Sequence, residues 1–309
     1  MNAVDGAVAV VTGATGGMGR VIALELARRG MHVVTVARDP RRAEEVQAQI
    51  EQATGRRALE VVRGDLSTRA GITSAAEAIA QRFDAVRLLI NNAGAHFAER
   101  RLTVDGIEMH IAVDYLAAYG LTTLLPPALR RGRARVVDVA SDTVRDTRRI
   151  TLIGRPRPAT LDVDDLDDLA RLNPAAGFVP FQAYARAKLL TVIAGRGLAR
   201  SFAGEVSVNA VHPGIVATDI ISDLVPGPLR PFEPLIRRAM LTPEQGAAAA
   251  LRLALDPGLE GVTGRYFVRD TDVPPPAITY RRDVQERLRR TTDRFIASPP
   301  EGDLLPGGP

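Results

Sequence analysis

The chain has 309 residues, 46% of them hydrophobic, which is enough to bury the core of one large α/β domain. It contains no cysteine, which excludes disulfides and thiolate metal sites, and its net charge at pH 7 is only +4. Scattered arginine pairs and an aromatic content of 4% provide neither a basic stripe nor a stacking surface, so we expect no nucleic-acid partner.

The ends of the chain and its histidines give further expectations. The N-terminus has no signal-peptide pattern and no apolar run reaches about 18 residues, so we expect a cytoplasmic protein without a membrane span. The four histidines have no ligand-like spacing, and we expect no metal. The tail 298–309 is rich in Pro and Gly and is expected to be disordered.

Apolar runs alternate with helical patterns along the chain. Predicted strands cover 7–11, 33–37, 59–63, 88–90, 135–140, 206–211 and 265–268. Predicted helices lie near 18–29, 40–53, 68–82, 104–130, 182–203 and 242–255. Continuous Val/Ile/Leu runs are typical of parallel strands buried on both faces. The pattern predicts a doubly wound (Rossmann) α/β fold, with about seven parallel strands and helices on both faces, in a single domain over 1–297.

Two long stretches interrupt this alternation, and we expect both to shape a substrate site. The first, 142–183, contains an acidic run at 162–169 whose apolar spacing favours a solvated amphipathic helix over a metal site. The second, 219–241, is apolar enough to line a pocket for a hydrophobic small molecule. Alternatively, it completes the core or forms a subunit contact.

A glycine-rich turn, Thr12 to Gly19, follows the first predicted strand and precedes the first helix. Glycines allow a tight turn and let the backbone approach a pyrophosphate, whose charge the helix N-terminus favours. An ordinary turn is the alternative, but the position between the first strand and helix is typical of dinucleotide binding.

The second strand ends in Arg38 and Asp39, where dinucleotide folds meet the adenosine ribose. An Arg accommodates a 2′-phosphate and an acid binds a free 2′-hydroxyl, so Arg38 favours NADP, with NAD as the alternative. Asp39 would otherwise cap the helix that begins at Pro40. Asp65, after the third strand, either accepts from the adenine amino group or caps a helix.

Lys188 is the only lysine among 40 basic residues, and it follows Tyr184 by four positions on a predicted helix. This spacing places both side chains on one face, with the ammonium beside the phenol. A cation there is expected to lower the pKa of Tyr184 toward the range of a working proton donor. The alternative is that the two residues share a solvated face by coincidence.

The motifs occur in a defined order: TGxxxGxG at 12–19, Asn-Asn-Ala-Gly at 91–94, Ser141, Tyr184 with Lys188, then Pro213-Gly214. This ordered set resembles the short-chain dehydrogenase/reductase family over residues 7 to 270. The long link from Ser141 to Tyr184 and the ending Gly-Arg-Tyr-Phe-Val at 264–268 look most like its retinol-dehydrogenase-like branch.

The resemblance implies an NAD(P)-dependent enzyme that interconverts a ketone or aldehyde and an alcohol. Tyr184 would be the general acid/base, Lys188 would lower its pKa and hold the nicotinamide ribose, and Ser141 would hydrogen-bond the substrate oxygen. The cofactor contacts expected from the motifs are Gly13, Thr15, Gly17, Met18, Gly19, Arg38, Asp65, Leu66, Asn92, Ala93, Gly94, Tyr184, Lys188, Val216 and Thr218.

One position departs from the family pattern. An asparagine is usual in the long helix after the fourth strand, where it supports a water-linked proton relay, but here the position holds Asp114. An aspartate would attract Lys188 and oppose ionisation of Tyr184, or it merely fills the place of the asparagine. It therefore keeps open a non-redox lyase, cyclase or isomerase at the same site; a cofactor-sensing module is a third reading. Pairing into a dimer or tetramer through helices 104–130 and 182–203 is a further implication of the resemblance.

Overall fold

The computed structural model describes residues 4–148, 156–217, 238 and 240–298. Within these ranges one sheet contains eight strands, β1 to β8, which are Val8–Val11, His32–Ala37, Leu59–Arg63, Leu88–Asn91, Arg135–Val139, Ser207–His212, Tyr266–Val268 and Thr271–Asp272. The spatial order is β3-β2-β1-β4-β5-β6-β7-β8. The first seven strands are parallel, with Val10 opposite Val34 on one side and Leu89 on the other, and β8 is antiparallel at the edge.

Helices cover both faces of this sheet. Numbered within the described ranges, α1 to α8 are Gly17–Arg28, Pro40–Thr54, Arg69–Arg82, Ala117–Leu124, Pro126–Arg131, Pro180–Ser201, Pro243–Leu255 and Arg282–Ala297. The buried side chains form one cluster on each face, exemplified by Leu89 and Leu189 on one side and by Ile22 and Ile90 on the other. The predicted doubly wound α/β fold is confirmed.

Local sequence explains why several helices begin and end where they do. Asp39 accepts a hydrogen bond from Arg41 N, Pro40 fills the first position of α2, and Gly55 ends the helix in the left-handed conformation at φ 68°. Thr242 opens α7 with a reciprocal capping box to Gln245. These caps satisfy backbone groups that a helix end leaves without partners.

The helix expected over 104–130 is wrong in its detail. Residues 103–107 form a turn, flanked by a bridge between Leu102 and Glu108, and the helical backbone begins at Met109. It continues as a π-helical segment, Ile111–Leu116, and then as α4, which ends before Pro126 starts α5. Wider π turns are typical of functional positions, and this one carries Asp114.

The expected acidic amphipathic helix is a short 3-10 helix, Val163–Asp167, with Leu166 buried beneath it. Its carboxylates face α8, where Arg287 donates to both oxygens of Asp167 and to Asp164 at 3.1 Å. The acidic run therefore pairs with a guanidinium of the same chain. Most of the second expected insertion, 219–241, and the tail 299–309 lie outside the described residues.

Helix α8 was not predicted, and it packs on the face formed by α6 and the segment 111–124. Tyr115 and Tyr119 form 2.6 Å hydrogen bonds through their hydroxyls with Thr292 and Asp293, respectively. Leu288, also on α8, is fully buried. Because α8 covers α6, little surface of α6 is left for contact with a second copy. The packing therefore does not favour the expected dimer or tetramer contact through 182–203.

Candidate active site

The carboxyl ends of β1 and β4 meet where the strand order reverses, since β2 and β3 lie on one side and β5 to β7 on the other. In open α/β sheets the crevice outside such a switch point is the place where ligands bind. The glycine-rich turn follows β1 and the Asn-Asn-Ala-Gly segment follows β4, so both predicted motifs reach this crevice.

The glycine-rich turn is tied directly to the segment after β4. Asn92 Nδ2 donates to Thr12 O at 2.9 Å, and Ala93 N donates to Thr12 Oγ1 at 2.9 Å. Gly13 has φ 68°, a left-handed conformation, and a Cβ at Gly19 would lie 2.1 Å from Gly13 O. These two positions therefore require glycine, and they leave the start of α1 open to a pyrophosphate.

The remaining residues of the turn lie at the entrance to α1. Thr15 is half-buried and Gly17, with φ 50°, is exposed at the first turn of the helix. Met18 is buried and lies with Val216 against Gly246 of α7, where a Cβ would approach their side chains to 2.6 and 2.5 Å. The segment after β6 thus reaches the turn as expected. Thr218, the other residue expected there, lies outside the described residues.

The carboxyl end of β2 presents Arg38 to solvent, and its side chain makes no hydrogen bond or ion pair with the described parts of the chain. The adjacent Asp39 caps α2 through a 3.0 Å bond from Arg41 N. The capping role proposed for Asp39 is therefore confirmed, and the guanidinium is the group left to meet a ligand at this strand end.

Asp65 is half-buried after β3, and its Oδ1 accepts from Ser67 N at 2.9 Å and from Ser67 Oγ at 2.8 Å. Thr68 is the residue that caps α3. The alternative that Asp65 is a helix cap is therefore wrong. Leu66, the next residue, is buried in the core.

Ser141, Tyr184 and Lys188 come together at the carboxyl end of β5, and their exposed fractions are only 8%, 8% and 3%. Helix α6 carries Tyr184 and Lys188 on one face, and Lys188 Nζ lies 5.7 Å from the Tyr184 ring centroid. The ammonium donates to Val139 O at 3.0 Å, at the last residue of β5 and two residues before Ser141. Ser141 Oγ accepts from Thr143 N at 3.3 Å, and its proximity to the Tyr184 phenol lowers the pKa of that phenol.

Asp114 completes this cluster. Its Oδ1 lies 3.2 Å from Lys188 Nζ and accepts from Ala95 N at 3.1 Å. Its Oδ2 is buried and has no hydrogen-bond partner among the described residues. A Cβ at Gly94 would lie 2.6 Å from Asp114 Oδ1 and 3.1 Å from Lys188 Nζ, so the glycine is what lets the backbone approach the ion pair.

The expected lowering of the Tyr184 pKa is not found. Burial raises the pKa of Tyr184, and the Asp114 carboxylate raises it too; together they outweigh the lowering of this pKa by Lys188 and by Ser141. Burial lowers the pKa of Lys188, but Asp114 and Tyr184 more than offset this, so its pKa lies above the usual value. The cluster at neutral pH therefore contains a protonated phenol and a charged ammonium.

The sequence patterns missed a buried polar network beside Tyr184. His110 and Glu108 are fully buried and 2.8 Å apart, and Phe97 N donates to His110 Nε2 at 3.0 Å. Because Nε2 accepts, Nδ1 carries the proton and donates to Glu108. The rings of His110 and Tyr184 are 6.2 Å apart at 71°.

Asn173 ties the first insertion into this network. Its Nδ2 donates to Glu108 Oε2 at 2.8 Å and to Ala183 O at 3.2 Å, next to Tyr184. The spacing of Glu108 and His110, two residues apart at the start of the helical segment, is the one sequence signal that could have located this network.

Comparison with known proteins identifies the family. A short chain dehydrogenase family model matches residues 7–149. Human polyprenol dehydrogenase is 32% identical over 289 residues, covering 91% of this chain and 82% of that protein. Bovine retinol dehydrogenase 12 is 35% identical over 266 residues, covering 85% and 77%, respectively. The chain belongs to the short-chain dehydrogenase/reductase family, in its retinol-dehydrogenase-like branch, and is an NAD(P)-dependent oxidoreductase.

Solved structures show the same fold. An uncharacterised protein from Mycobacterium paratuberculosis is 23% identical, with a TM-score of 0.70 and coverage of 95% of this chain and 96% of that one. A structure described as a candidate NAD(P)-dependent gluconate 5-dehydrogenase from Beutenbergia cavernae, with bound NADP, is 27% identical with a TM-score of 0.63, covering 86% and 96%. Within the described ranges no helix has the length and apolar character needed to cross a membrane.

Proposed function

We propose that the protein is an NADP(H)-dependent oxidoreductase that interconverts a ketone or aldehyde and an alcohol on a hydrophobic small molecule. The observation that carries this proposal is the buried cluster of Ser141, Tyr184 and Lys188 beside the glycine-rich turn. Its groups supply a proton, a second hydrogen-bond donor and a fixed positive charge, which are what carbonyl reduction requires of the protein.

A bound nicotinamide supplies or accepts the hydride, and the protein supplies orientation and a proton. In reduction, the Tyr184 phenol donates its proton to the substrate oxygen, and its raised pKa keeps that proton in place at neutral pH. Ser141 Oγ donates a hydrogen bond to the same oxygen, so that the developing negative charge meets two donors. Lys188 stabilises the phenolate that remains.

The fit for a dinucleotide rests on three parts of the crevice. Gly13 and Gly19 keep side chains away from the start of α1, and Gly94 does the same beside Lys188. Arg38 supports NADP over NAD because its guanidinium is exposed without a partner in the described chain, whereas Asp39 is engaged in capping. The relative from Beutenbergia cavernae, solved with NADP, agrees with this choice.

Two exposed apolar side chains support a hydrophobic substrate. Ile215, directly after Pro213-Gly214, is 62% exposed, and Val179, at the start of α6 just ahead of Tyr184, is 45% exposed. Exposed apolar side chains close in sequence to the site motifs favour apolar ligands. The names of the relatives refer to polyprenol and retinol, which are both apolar alcohols.

Replacing Tyr184 by Phe tests the reaction. We expect Tyr184→Phe to lower kcat about 100- to 10,000-fold, since a positioned general acid contributes about that much, while NADPH binding is retained. The assay follows NADPH absorbance with a panel of apolar aldehydes and ketones, and Tyr280→Phe, at an exposed tyrosine, is the matched control. An unimpaired Tyr184→Phe enzyme would falsify the role of Tyr184, and product formation without an absorbance change would favour the non-redox alternative.

Replacing Arg38 by Gln tests the cofactor. We expect Arg38→Gln to weaken NADPH binding by about tenfold or more and to leave NADH binding nearly unchanged, because only the 2′-phosphate uses the guanidinium. Titration calorimetry with both cofactors measures the ratio. Arg57→Gln is the control. Arg57 is also exposed, but it precedes β3 and therefore lies at the amino ends of the strands, away from Arg38 at the carboxyl end of β2. Equal loss of affinity for both cofactors would contradict the assignment.

A further inference from the structure

A cavity of about 520 Å³ lies beside the C-terminal half of α6, and Tyr184 and Lys188 are in the N-terminal half of the same helix. Its walls come from the C-terminal half of α6, from residues 263–266 at the start of β7, and from residues 272–275 after β8. Because β7 is parallel to β1 through β6, its first residues lie at the amino ends of the strands. The crevice lies at the opposite, carboxyl ends. The three arginines of the lining therefore lie near the amino ends of the strands, whereas the lining residue Tyr266 extends toward the active site, where its hydroxyl donates to Asp142 at 3.4 Å.

Positive charge dominates the lining. Arg196, Arg200 and Arg265 contribute three guanidiniums, and Asp272, 3.5 Å from Arg265, is the one carboxylate among the lining residues. Arg196 donates to Gly264 O, and Arg200 donates to Gln285 Oε1 and to a backbone carbonyl of its own helix. In the described chain neither of these two guanidiniums is paired with an acid.

The arginine side chains near this cavity repel one another. Burial lowers the pKa of Arg200, and the neighbouring Arg282 and Arg196 lower it further. Like charges at close range favour a site for a counter-anion, since an anion would relieve their repulsion. Guanidiniums suit this role because their planar donor groups match phosphate and carboxylate oxygens.

The cavity also contains a hydrogen-bond donor without a partner in the described chain, and part of its wall is rigid. The Arg196 guanidinium stacks on the Tyr280 ring, 3.9 Å from its centroid, and its Nε is buried without a hydrogen-bond partner in the described chain. Pro274 and Pro275 form a rigid wall with few conformations to lose on binding. The stacking holds one guanidinium in place, so part of the ordering that a ligand requires is already present.

We infer that this cavity binds a small molecule bearing a phosphate group, with the phosphate between the guanidiniums of Arg196, Arg200 and Arg265 and an apolar body against Pro274 and Pro275. A dianionic phosphate can accept from more than one guanidinium at once, which fits three arginines against a single aspartate. The apolar prolines add affinity for a body attached to the phosphate.

Calorimetric titration with inorganic phosphate and with phenyl phosphate tests this inference. We expect saturable binding of both to the wild-type protein, with phenyl phosphate the tighter ligand. Arg200→Gln should weaken both by about tenfold or more, as expected for loss of a charge-assisted hydrogen bond. Arg200→Lys should restore only part of the affinity, because an ammonium lacks the planar fork. Circular dichroism of each variant checks that it is folded.

Two control variants locate the bound phosphate. Arg38→Gln removes a guanidinium at the carboxyl end of β2, in the cofactor crevice. Arg252→Gln removes a guanidinium that is paired with Asp256 on the surface. With the crevice filled by saturating NADP during each titration, both should bind phosphate like the wild type. Unsaturable binding, or equal loss in Arg200→Gln and Arg252→Gln, overturns the site. Loss in Arg38→Gln alone assigns the phosphate to the cofactor crevice and also overturns it, without affecting the proposed reaction.

Discussion

Lys188 lies between two buried carboxylates, and this arrangement sets the protonation of the candidate site at the scale of single residues. Asp114 forms the 3.2 Å ion pair, and Asp138 also attracts the ammonium. Burial raises the pKa of both carboxyls. The Lys188 ammonium lowers the pKa of both carboxyls and so offsets part of the cost of burying a negative charge.

Asp114→Asn is expected to shift the pH dependence of alcohol oxidation to lower pH. The amide oxygen can still accept from Ala95 N, but the negative charge that raises the Tyr184 pKa is removed, so the phenolate forms more readily. The reduction rate, which needs the protonated phenol, should fall off at lower pH as well. The measurement is kcat/KM against pH in both directions, with exposed Asp283→Asn as control. Superimposable profiles for wild type and Asp114→Asn would contradict the coupling.

At the scale of an element, strand β5 carries Asp138 in the centre of the sheet, where Asn91 Nδ2 donates to its Oδ1 at 2.8 Å. Burial raises its pKa from 3.8 to about 6. Because the folded-state value is the higher one, the protonated form is favoured by folding. This contribution to stability is present below the unfolded pKa and is lost as the pH rises through about 6.

Asp138→Asn should therefore remove part of the pH dependence of stability. The amide keeps an acceptor for Asn91 and needs no ionisation. The variant should gain roughly 2 to 3 kcal/mol over wild type in the free energy of unfolding between about pH 4 and pH 8, the equivalent of the pKa shift. Urea unfolding at several pH values measures this difference. Exposed Asp84→Asn should show no such trend, and a parallel pH dependence in Asp138→Asn and wild type would rule out the carboxyl as its source.

The elements that could be predicted from the sequence are those in which the order of apolar and polar residues matches the buried and exposed positions. Strand β3 was predicted at its observed bounds, because its apolar run is bounded by polar residues and glycine. Helix α8 has Val284 and Leu288 at helical spacing, but it was missed because most of its other positions are charged or polar and its apolar residues are few. A π-helical turn and Pro126 divide the predicted long helix; the proline is a visible signal for a helix boundary, whereas the π turn has no residue signature.

The candidate site was predictable where it depends on helical spacing and not where it depends on packing. A spacing of four positions places Tyr184 and Lys188 on one face in any α-helix. The pKa of Tyr184 depends on how completely neighbouring elements remove water, and residues distant in sequence, such as His96 and His110, surround the phenol. That burial outweighs the nearby ammonium, which a motif of two residues cannot reveal.

At the scale of the whole molecule, α8 covers the surface through which the family resemblance implied pairing. Along α6, nearly every residue from Ala183 to Gly195 is buried within a single chain. On α8, Leu288 and Thr292 face inward, and the Tyr119 hydroxyl donates to Asp293. A second copy could reach α6 only after α8 had left, and that would expose buried apolar surface and several hydrogen-bonding groups.

We therefore expect the protein to sediment as a monomer of 33.1 kDa at micromolar concentration. Leu288→Asp places a carboxylate where a fully buried leucine packs, so it should lower the melting temperature and release α8 from α6. Arg290→Asp, which changes an exposed charge on the same helix, is the control and should stay monomeric and stable. Sedimentation velocity separates the outcomes. If the unmodified protein sedimented at twice this mass, α8 would not be what determines its assembly.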